Sequence, residues 1–416
     1  MENSVHVYSF ELYWQKHHMI KGEFKLNISK LVFPSLSYTG WGAVSELLSE
    51  VNKYRPKHIL CITDNVLRDI GLVEKVTKPL TDEGYKLSVY TDVEPEPSLS
   101  CGQTLVDYTK EGSFDLVIGL GGGSTLDLAK LAAVMATHEG RVADYLNLTG
   151  TKTVSKKGLS KILIPTTSGT GSEVTNISVL SLASTKDVVT HDLLLADVAI
   201  VDPELTVSVP PKITAATGVD ALTHAIEAYL SVNASETSDG LALHAVRLIG
   251  QSLKSAVENG SNQKARTNMS MGSYMAGLAF FNAGVGGVHA LAYPLGGQFH
   301  IAHGESNAVL LPYVMGYIRS SCEERMADLY AALTGNNRLS SHEASKRFVE
   351  YLTNLVNDVH IPNHLQGFDI PESAIPSLTD DAVKQTRLLA RSPMPLSKDD
   401  IFNIYQAAYE GAVPVR

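Results

Sequence analysis

The N-terminal half of the chain alternates between short apolar runs and longer segments whose apolar residues recur with helical spacing. Runs typical of strands are Lys25–Val32, Lys57–Thr63, Lys86–Tyr90, Phe114–Leu120, Ile162–Ile164 and Val198–Val201. Segments with helical spacing begin at Ala43 or cover Val66–Glu83, Leu99–Lys110 and Thr125–Ala136. This regular alternation of strand and helix predicts a parallel sheet covered by helices.

From Ile213 onward the apolar spacing is almost wholly helical. The predicted helices are Ala242–Val257, Asn268–Phe281, Ala308–Ile318, Cys322–Leu333, Ser341–Val359 and Lys398–Tyr409. Such a pattern favours an all-α architecture. Two adjacent prolines in Val209–Lys212 mark the point where the alternating pattern of strands and helices gives way to helical spacing alone. The sequence therefore predicts an α/β domain over residues 1–210 and an all-helical domain over residues 211–416.

Composition narrows the classes of partner. The chain is 44% hydrophobic and 19% charged, which is typical of a globular protein. Its formal net charge of −10, without a basic stripe, argues against nucleic acid. Residues 1–30 lack the apolar core of a secretory signal, and no uncharged apolar run approaches the roughly 18 residues of a membrane span. We therefore expect a cytoplasmic protein without a membrane partner.

The strand Phe114–Leu120 leads directly into Gly121, Gly122, Gly123 and Ser124, and a helix follows. Glycines at such a turn allow a ligand to approach the backbone, and the helix N-terminus attracts phosphate. The spacing is not G-x-G-x-x-G, so the common dinucleotide fingerprint is absent. The turn predicts either a phosphate site or a tight structural turn.

Two other polar features follow predicted strands. Asp64 ends the run Lys57–Thr63, where a carboxylate either accepts hydrogen bonds from a ribose diol or caps the next helix. A ribose role would favour NAD over NADP, because the carboxylate repels a 2′-phosphate. The segment Pro165–Thr175 is rich in Ser, Thr and Gly. It predicts either a nucleotide-lining loop or a plain polar loop.

The helical half carries carboxylate and imidazole groups at intervals that suit a metal. Asp220 and His224 lie four residues apart, on one face of a predicted helix. His289 and His303 are separated by one Pro and two Gly, so they must come from two segments. One carboxylate and three imidazoles suit Fe(II), Zn(II) or Mn(II). The alternative is that these are ordinary surface or core residues, since the chain has 14 His.

Several motifs together resemble the iron-containing (group III) alcohol dehydrogenases. They are Asp115–Lys130 (DLVIGLGGGSTLDLAK), Pro165–Thr175 (PTTSGTGSEVT), Val198–Leu205 (VAIVDPEL), Gly218–Tyr229 (GVDALTHAIEAY) and Val288–Val314. The resemblance covers about residues 35 to 410 in the same order. It implies a dehydroquinate synthase-like architecture, with an N-terminal dinucleotide-binding α/β domain, a C-terminal helical domain and a metal in the cleft between them.

The resemblance also implies roles for individual residues. The metal ligands of the family fall on Asp220, His224, His289 and His303. The positions that match cofactor contacts are Asp64, Gly121, Gly122, Gly123, Ser124, Thr166, Thr167, Thr170 and Lys186. Many members carry a further histidine four residues after the third ligand, whereas this chain has Tyr293 there. A phenol titrates far above neutrality, so we expect Tyr293 to contact substrate rather than to relay protons.

The function implied by the resemblance is that of an NAD(P)-dependent alcohol dehydrogenase or aldehyde reductase. Hydride would pass between the carbinol carbon and nicotinamide C4, with the metal, expected to be Fe(II), acting as a Lewis acid on the substrate oxygen. NAD is expected rather than NADP, the substrate is a small alcohol or aldehyde, and the chain is expected to form a homodimer. The alternatives on this scaffold are a hydroxyacid–oxoacid transhydrogenase or oxo-acid reductase, and a lyase similar to dehydroquinate synthase.

Overall fold

The apolar runs of the N-terminal half form one parallel sheet in the computed structural model, which describes residues 28–182 and 186–414. Its strands are β1 (Ser37–Thr39), β2 (His58–Ile62), β3 (Lys86–Tyr90), β4 (Leu116–Gly121), β5 (Ser160–Pro165) and β8 (Val198–Val201). Their order across the sheet is β1-β8-β5-β4-β2-β3, with every neighbouring pair parallel. The carboxyl ends of the central strands β4 and β5 therefore lie side by side.

Helices cover both faces of this sheet. They are α1 (Leu47–Tyr54), α2 (Asn65–Asp69), α3 (Leu72–Asp82), α4 (Leu99–Glu111) and α5 (Gly123–Met135). Successive residues of β2 belong to different cores: Leu60 and Ile62 pack on one side, and Ile59 and Cys61 on the other. A strand buried on both faces needs apolar residues throughout, which explains why the central strands appear in the sequence as continuous apolar runs.

The structure departs from the predicted elements at three places in this half. The first strand is Ser37–Thr39, and residues 28–32 of the predicted strand Lys25–Val32 form no strand, while residues 25–27 lie outside the described part. The predicted helix Val66–Glu83 is two helices, which are separated at Gly71 with a φ of 77°. An antiparallel hairpin of β6 (Ile177–Ser181) and β7 (Lys186–Thr190) follows the hydroxyl-rich loop and was not predicted.

The C-terminal half is helical, as the spacing of its apolar residues predicts. Its helices are α6 (Pro211–Leu230), α7 (Glu236–Gly250), α8 (Leu253–Glu258), α9 (Gln263–Ala283), α10 (Gly287–Phe299), α11 (His303–Ile318), α12 (Glu323–Thr334), α13 (Ser341–Asp358), α14 (Ile375–Ala382), α15 (Thr386–Leu389) and α16 (Lys398–Glu410). The fold class, a parallel α/β sheet followed by a helical part, is confirmed. Residues from Val32 onward form one compact unit, and the division at residue 210 stays a prediction.

Two boundaries among these helices differ from the prediction. The segment Ala242–Val257 is shared between α7 and α8, which break near Gln251. His289 and His303 do lie on separate helices, but the break is at His300, whose φ is 55°, while Pro294 lies inside α10. No single helix in the described part is long and apolar enough to cross a membrane, and the pair that would qualify together is bent by 104°.

Helix α11 approaches the long helix α6 at a glycine. A Cβ atom on Gly304 would lie 2.3 Å from the carbonyl oxygen of Ala216 and 2.7 Å from its carbonyl carbon. Because backbone atoms cannot rotate away, any side chain here must move one helix. Gly304 directly follows His303, the first residue of α11. This close contact therefore sets where the N-terminus of α11 lies against α6.

We predict opposite effects for two glycine-to-alanine substitutions in helices. Gly304→Ala is expected to destabilise the protein by about 1 to 3 kcal/mol through overpacking, because the new methyl group meets backbone. Gly240→Ala, in α7 with open space around its Cβ position, is the matched control and should stabilise by about 0.5 to 1 kcal/mol. Thermal unfolding midpoints measure both. A Gly304→Ala protein as stable as the wild type would contradict the contact.

Candidate active site

Four predicted metal-ligand residues converge in the helical half. Asp220 and His224 come from adjacent turns of α6, His289 from the first turn of α10, and His303 from the start of α11. One potential ligand atom from each of the four lies within 4.8 Å of the others. Nε2 of His289 and Nε2 of His303 are 3.8 and 3.6 Å from Oδ1 of Asp220. The four side chains that the spacing argument selected therefore lie together, and their role as metal ligands stays a prediction.

Burial keeps two of the four side chains, His224 and His303, in the neutral form that metal ligation requires. Burial lowers the pKa of His224 to about 4 and that of His303 to about 3, although the charge of Asp220 opposes the shift in both. These two imidazoles are therefore neutral at pH 7, as ligands must be. Burial alone would raise the pKa of Asp220, but attraction to the imidazoles, which acts when they are protonated at low pH, and the hydrogen bond from Asn307 outweigh it and lower the pKa, so the carboxylate is ionised at pH 7.

Glu227 orients the imidazole of His289 by contacting the ring nitrogen that does not face Asp220. Its Oε2 lies 2.6 Å from Nδ1 of His289, and its Oε1 accepts a hydrogen bond from the backbone N–H of Val288 at 2.6 Å. The Nδ1–H of His289 donates a hydrogen bond to this carboxylate, so Nε2 keeps its lone pair and faces Asp220. Sequence reasoning missed Glu227. Its position seven residues after Asp220, on the same face of α6, was an available signal.

Asn307 is a second residue that the sequence reasoning missed. Its Nδ2 lies 2.7 Å from Oδ1 of Asp220 and 3.2 and 3.3 Å from Nε2 of His289 and His303. The side-chain amide therefore contacts three of the four potential ligands. Asn307 lies four residues after His303, one helical turn along α11, which is the same spacing that singled out the Asp220 and His224 pair.

The donor set fits a divalent cation. Nδ1 of His224 is buried and makes no hydrogen bond to any residue in the described part of the chain. A polar nitrogen buried without a partner is costly, and a metal or another group at the cluster would remove that cost. One carboxylate oxygen and three imidazole nitrogens suit Fe(II), Zn(II) or Mn(II). The residues that would hold the ion are Asp220, His224, His289 and His303.

The cluster lies in the wall of a cavity of about 350 Å³ that also reaches the glycine turn. The three histidines line it, whereas Asp220 is buried and is not among the lining residues. On the sheet side the lining includes Gly123, Ser124, Thr170 and Lys186. On the helical side it includes the aromatic residues Phe280, Phe281 and Tyr293. One cavity is therefore lined by three of the predicted metal ligands and by four of the predicted cofactor residues.

The glycine turn and the hydroxyl-rich loop pack directly against each other. Gly121 ends β4, Gly122 precedes α5, and the backbone N–H of Thr166 donates to the carbonyl of Gly121 at 3.0 Å. A Cβ atom on Gly123 would lie 2.6 Å from Thr170, so only glycine fits there. A Cβ atom on Gly122 would lie 3.5 Å from Oγ1 of Thr167, which is an ordinary van der Waals contact. The first turn of α5 thus presents free N–H groups beside a row of hydroxyls.

The other predicted cofactor residues have separate environments. Asp64 lies at the end of β2, where its Oδ1 accepts from the backbone N–H of Leu67 at 2.9 Å and caps α2. It is not among the residues that line the cavity. Lys186 opens β7, is largely buried, and forms an ion pair of 3.1 Å with Glu96. The helix-capping alternative for Asp64 is therefore realised, and its ribose role stays a prediction.

Comparison with known proteins agrees with this geometry. Residues 34–203 match the family model described as iron-containing alcohol dehydrogenase, and residues 214–409 match the C-terminal model of the Fe-containing alcohol dehydrogenase family. The chain belongs to the iron-containing alcohol dehydrogenase family. As a member of it, this alcohol dehydrogenase is an oxidoreductase that acts on CH–OH groups.

Individual relatives extend the comparison. The chain is 69% identical over 389 residues to long-chain-alcohol dehydrogenase 1 of Geobacillus thermodenitrificans, covering 93% of this chain and 98% of the relative. It also resembles the crystal structure of a 1,3-propanediol oxidoreductase with a TM-score of 0.88 and 34% identity, over 92% and 100% of the two chains. The structure of a sulfoacetaldehyde reductase from Bifidobacterium kashiwanohense in complex with NAD+ is also similar, with a TM-score of 0.83 and 28% identity. The match covers 92% of this chain and 99% of that chain.

Tyr293 is the residue at the position where the resemblance described above implies a histidine. It lies one turn after His289 on α10, lines the cavity, and its ring centre is 6.0 Å from that of His303. Burial raises the pKa of its phenol, although the nearby charge of Arg387 opposes the shift. In this alcohol dehydrogenase the Tyr293 hydroxyl therefore keeps its proton at neutral pH, and it is a hydrogen-bond donor rather than a base.

We predict that Glu227→Gln weakens metal binding although Glu227 is not itself a predicted ligand. Glutamine has one acceptor oxygen, so it cannot accept from both the backbone N–H of Val288 and Nδ1 of His289, and its NH2 group must oppose one of them. Disturbing the contact that fixes the His289 tautomer typically costs about 10- to 100-fold in metal affinity. Competition with a chelator, followed by metal analysis, measures the affinity. Glu236→Gln, on the neighbouring helix α7, serves as the control. Unchanged metal retention in Glu227→Gln would contradict the orienting role.

Proposed function

We propose that this alcohol dehydrogenase interconverts alcohols and aldehydes with NAD, using a divalent cation held by Asp220, His224, His289 and His303. The observation that carries the proposal is the convergence of these four side chains at the wall of the cavity that reaches the glycine turn. A bound divalent cation supplies Lewis acidity, which favours negative charge on a substrate oxygen. Fe(II) is proposed first, from the family, with Zn(II) and Mn(II) as alternatives.

The sheet side of the cavity is proposed to bind the dinucleotide. Gly121, Gly122, Gly123 and Ser124 would receive the pyrophosphate at the N-terminus of α5, where backbone N–H groups and the helix dipole favour negative charge. Thr166, Thr167 and Thr170 supply hydroxyls beside the turn, and Lys186 supplies a positive charge in the cavity wall. Asp64, at the carboxyl end of β2, supports NAD over NADP because it would repel a 2′-phosphate.

The helical side of the cavity is proposed to bind the substrate. Phe280 stacks on His224 with ring centres 4.3 Å apart, and Phe281, Val285 and Leu388 continue the apolar lining. Apolar walls suit an alcohol with a hydrocarbon chain and exclude water from the reacting carbon. The name of the Geobacillus relative, a long-chain-alcohol dehydrogenase, supports the same class. The Tyr293 hydroxyl, in the cavity lining, is proposed to donate a hydrogen bond to the substrate. The cytoplasmic location and the homodimer stay predictions.

His289→Ala is expected to abolish turnover while NAD still binds, because the substitution removes a proposed ligand but leaves the glycine turn intact. Metal analysis of the wild type should find one of the three proposed metals, and His289→Ala should lose it. His244→Ala, an exposed histidine on α7, is the matched control. Turnover is read from NADH absorbance with an alcohol and aldehyde panel, using NAD and NADP in parallel. Full activity in His289→Ala would refute the metal assignment.

One observation favours a second candidate, a reductase of aldehydes or oxo acids that carry an anionic group. Arg387 and Arg391 line the cavity, and within the described ranges neither guanidinium forms an ion pair. Burial and the charge of Arg387 both lower the pKa of Arg391, so the two groups lie within electrostatic range of each other. Unpaired guanidinium groups favour carboxylate or sulfonate. The neighbouring sulfoacetaldehyde reductase, by its name, acts on a sulfonate.

Matched substrates separate the two candidates. If the arginines bind an anionic group, the wild type should prefer succinic semialdehyde to butanal, and Arg391→Met should lower kcat/KM for the semialdehyde alone by about tenfold or more. Lys384→Met is the control, since Lys384 is exposed and pairs with Asp381 at 2.7 Å outside the cavity. Butanal preferred by the wild type, with equal losses on both substrates in Arg391→Met, would reject the anionic class.

A further inference from the structure

Glu96 lies at the centre of a loop on the cofactor side of the cavity, and the proposed function assigns this residue no role. The segment Glu94-Pro95-Glu96-Pro97-Ser98 connects β3 to α4. Glu96 has a φ of +50°, in the left-handed region that a residue with a Cβ rarely adopts. Such a conformation persists only where surrounding contacts hold it, and it is enriched at functional sites. The contacts of Glu96 therefore indicate what the loop does.

Four different segments contact this one residue. Its backbone N–H donates to Oγ of Ser124 at 3.1 Å, and its carbonyl accepts from Oγ of Ser181 at 3.0 Å. Its Oε2 lies 3.1 Å from Nζ of Lys186. Its Oε1 accepts from the backbone N–H of His303 at 3.1 Å. The first turn of α5, both strands of the β6–β7 hairpin and the first residue of α11 thus meet at Glu96.

We infer that Glu96 is a positioning residue, which fixes the N-terminus of α11, and with it His303, relative to the cofactor side of the cavity. A carboxylate at a helix N-terminus is favoured both by the helix dipole and by a charge-assisted hydrogen bond. His303 is the first residue of α11, so the bond from its N–H to Glu96 acts one residue away from the imidazole. The inference rests on the proposed function.

The carboxylate of Glu96 should also affect how tightly the cofactor binds. Lys186, the proposed cofactor contact, is already paired with Glu96, and both residues line the cavity. A dinucleotide phosphate near Ser124 would compete with Glu96 for that lysine. Glu96 therefore weakens cofactor binding while it holds α11 in place. A variant that removes only the charge of Glu96 should strengthen cofactor binding alone. A variant that removes the whole side chain should also release the N-terminus of α11.

Three variants test the inference, with thermal unfolding as the check on folding. Glu96→Gln keeps an oxygen that can accept from His303 but loses the ion pair with Lys186. Glu96→Ala loses both interactions. Glu96→Asn is the second amide variant, since Asn tolerates the left-handed backbone but is shorter by one methylene. Glu94→Gln is the matched control, because Glu94 lies two residues away and accepts from Oγ of Ser98 at 2.8 Å, outside the cavity.

We expect Glu96→Gln to bind NADH about two- to fivefold more tightly in a fluorescence titration, with metal retention unchanged. Glu96→Ala and Glu96→Asn should bind NADH more tightly as well, but they should lose metal to a chelator about tenfold faster and show a lower kcat. Glu94→Gln should match the wild type in all three measurements.

Two results would overturn the inference. If Glu96→Gln changes NADH affinity no more than Glu94→Gln does, then Glu96 does not compete for Lys186. If Glu96→Ala keeps its metal as well as Glu96→Gln does, then Glu96 does not position His303. A wild-type protein that binds no NADH would instead refute the proposed cofactor, and metal loss to the chelator would still test the contact with α11 independently.

Discussion

The buried carboxylate of Asp220 is the constraint on which the rest of the site depends. Asp220 is only 2% exposed and Glu227 only 4%, so two carboxylates lie inside the helical half of the molecule. Their ion-pair partners in the described part of the chain are imidazoles, not Lys or Arg. Burial holds two of those imidazoles neutral, so they compensate little negative charge. A buried anionic cluster of this kind is stable only with a cation or equivalent charge compensation.

The fold brings the four side chains together by helix packing rather than by loops. Asp220 and His224 share one face of α6, and the break at His300 turns the chain so that α11 returns beside α6. The contact of Gly304 with the backbone of Ala216 fixes that approach. Ligands on packed helices keep their geometry better than ligands on loops.

The sequence predicted most of the fold because most of its elements are buried on both sides. The central strands β2, β4, β5 and β8 are continuous apolar runs, and their positions were found within one or two residues. The short strand Ser37–Thr39 and the β6–β7 hairpin were missed, because they are partly polar and lie at an edge or outside the sheet. The split of Val66–Glu83 at Gly71 was also missed, since a single glycine within a periodic segment is a weak signal.

The candidate site was predictable to the extent that its residues obey helical spacing. Asp220 and His224 were found in this way, and Glu227 and Asn307 obey the same spacing and were available to it. The contacts of Glu96 with Lys186 and His303, and the position of Arg387 and Arg391 in the cavity wall, were not available. They depend on which loops the tertiary fold places at the mouth of the cavity, and no local pattern encodes that.

Two lysine ion pairs on the cofactor side of the cavity differ in strength. The buried lysine Lys130 holds the glycine-turn helix in place, whereas the Glu96–Lys186 pair beside α11 is weaker. Nζ of Lys130 contacts Oδ1 of Asp127 at 2.9 Å, the carbonyls of Ser172 and Ile177, and the hydroxyl of Thr175 at 3.1 Å. Lys130 thereby ties the glycine-turn helix α5 to the hydroxyl loop and to β6. Breaking such a fully buried, paired charge is costly, whereas the ion pair of the one-third-exposed Glu96 is weak. A bound dinucleotide would therefore meet a fixed phosphate turn, and the Glu96–Lys186 pair is the contact that it can displace.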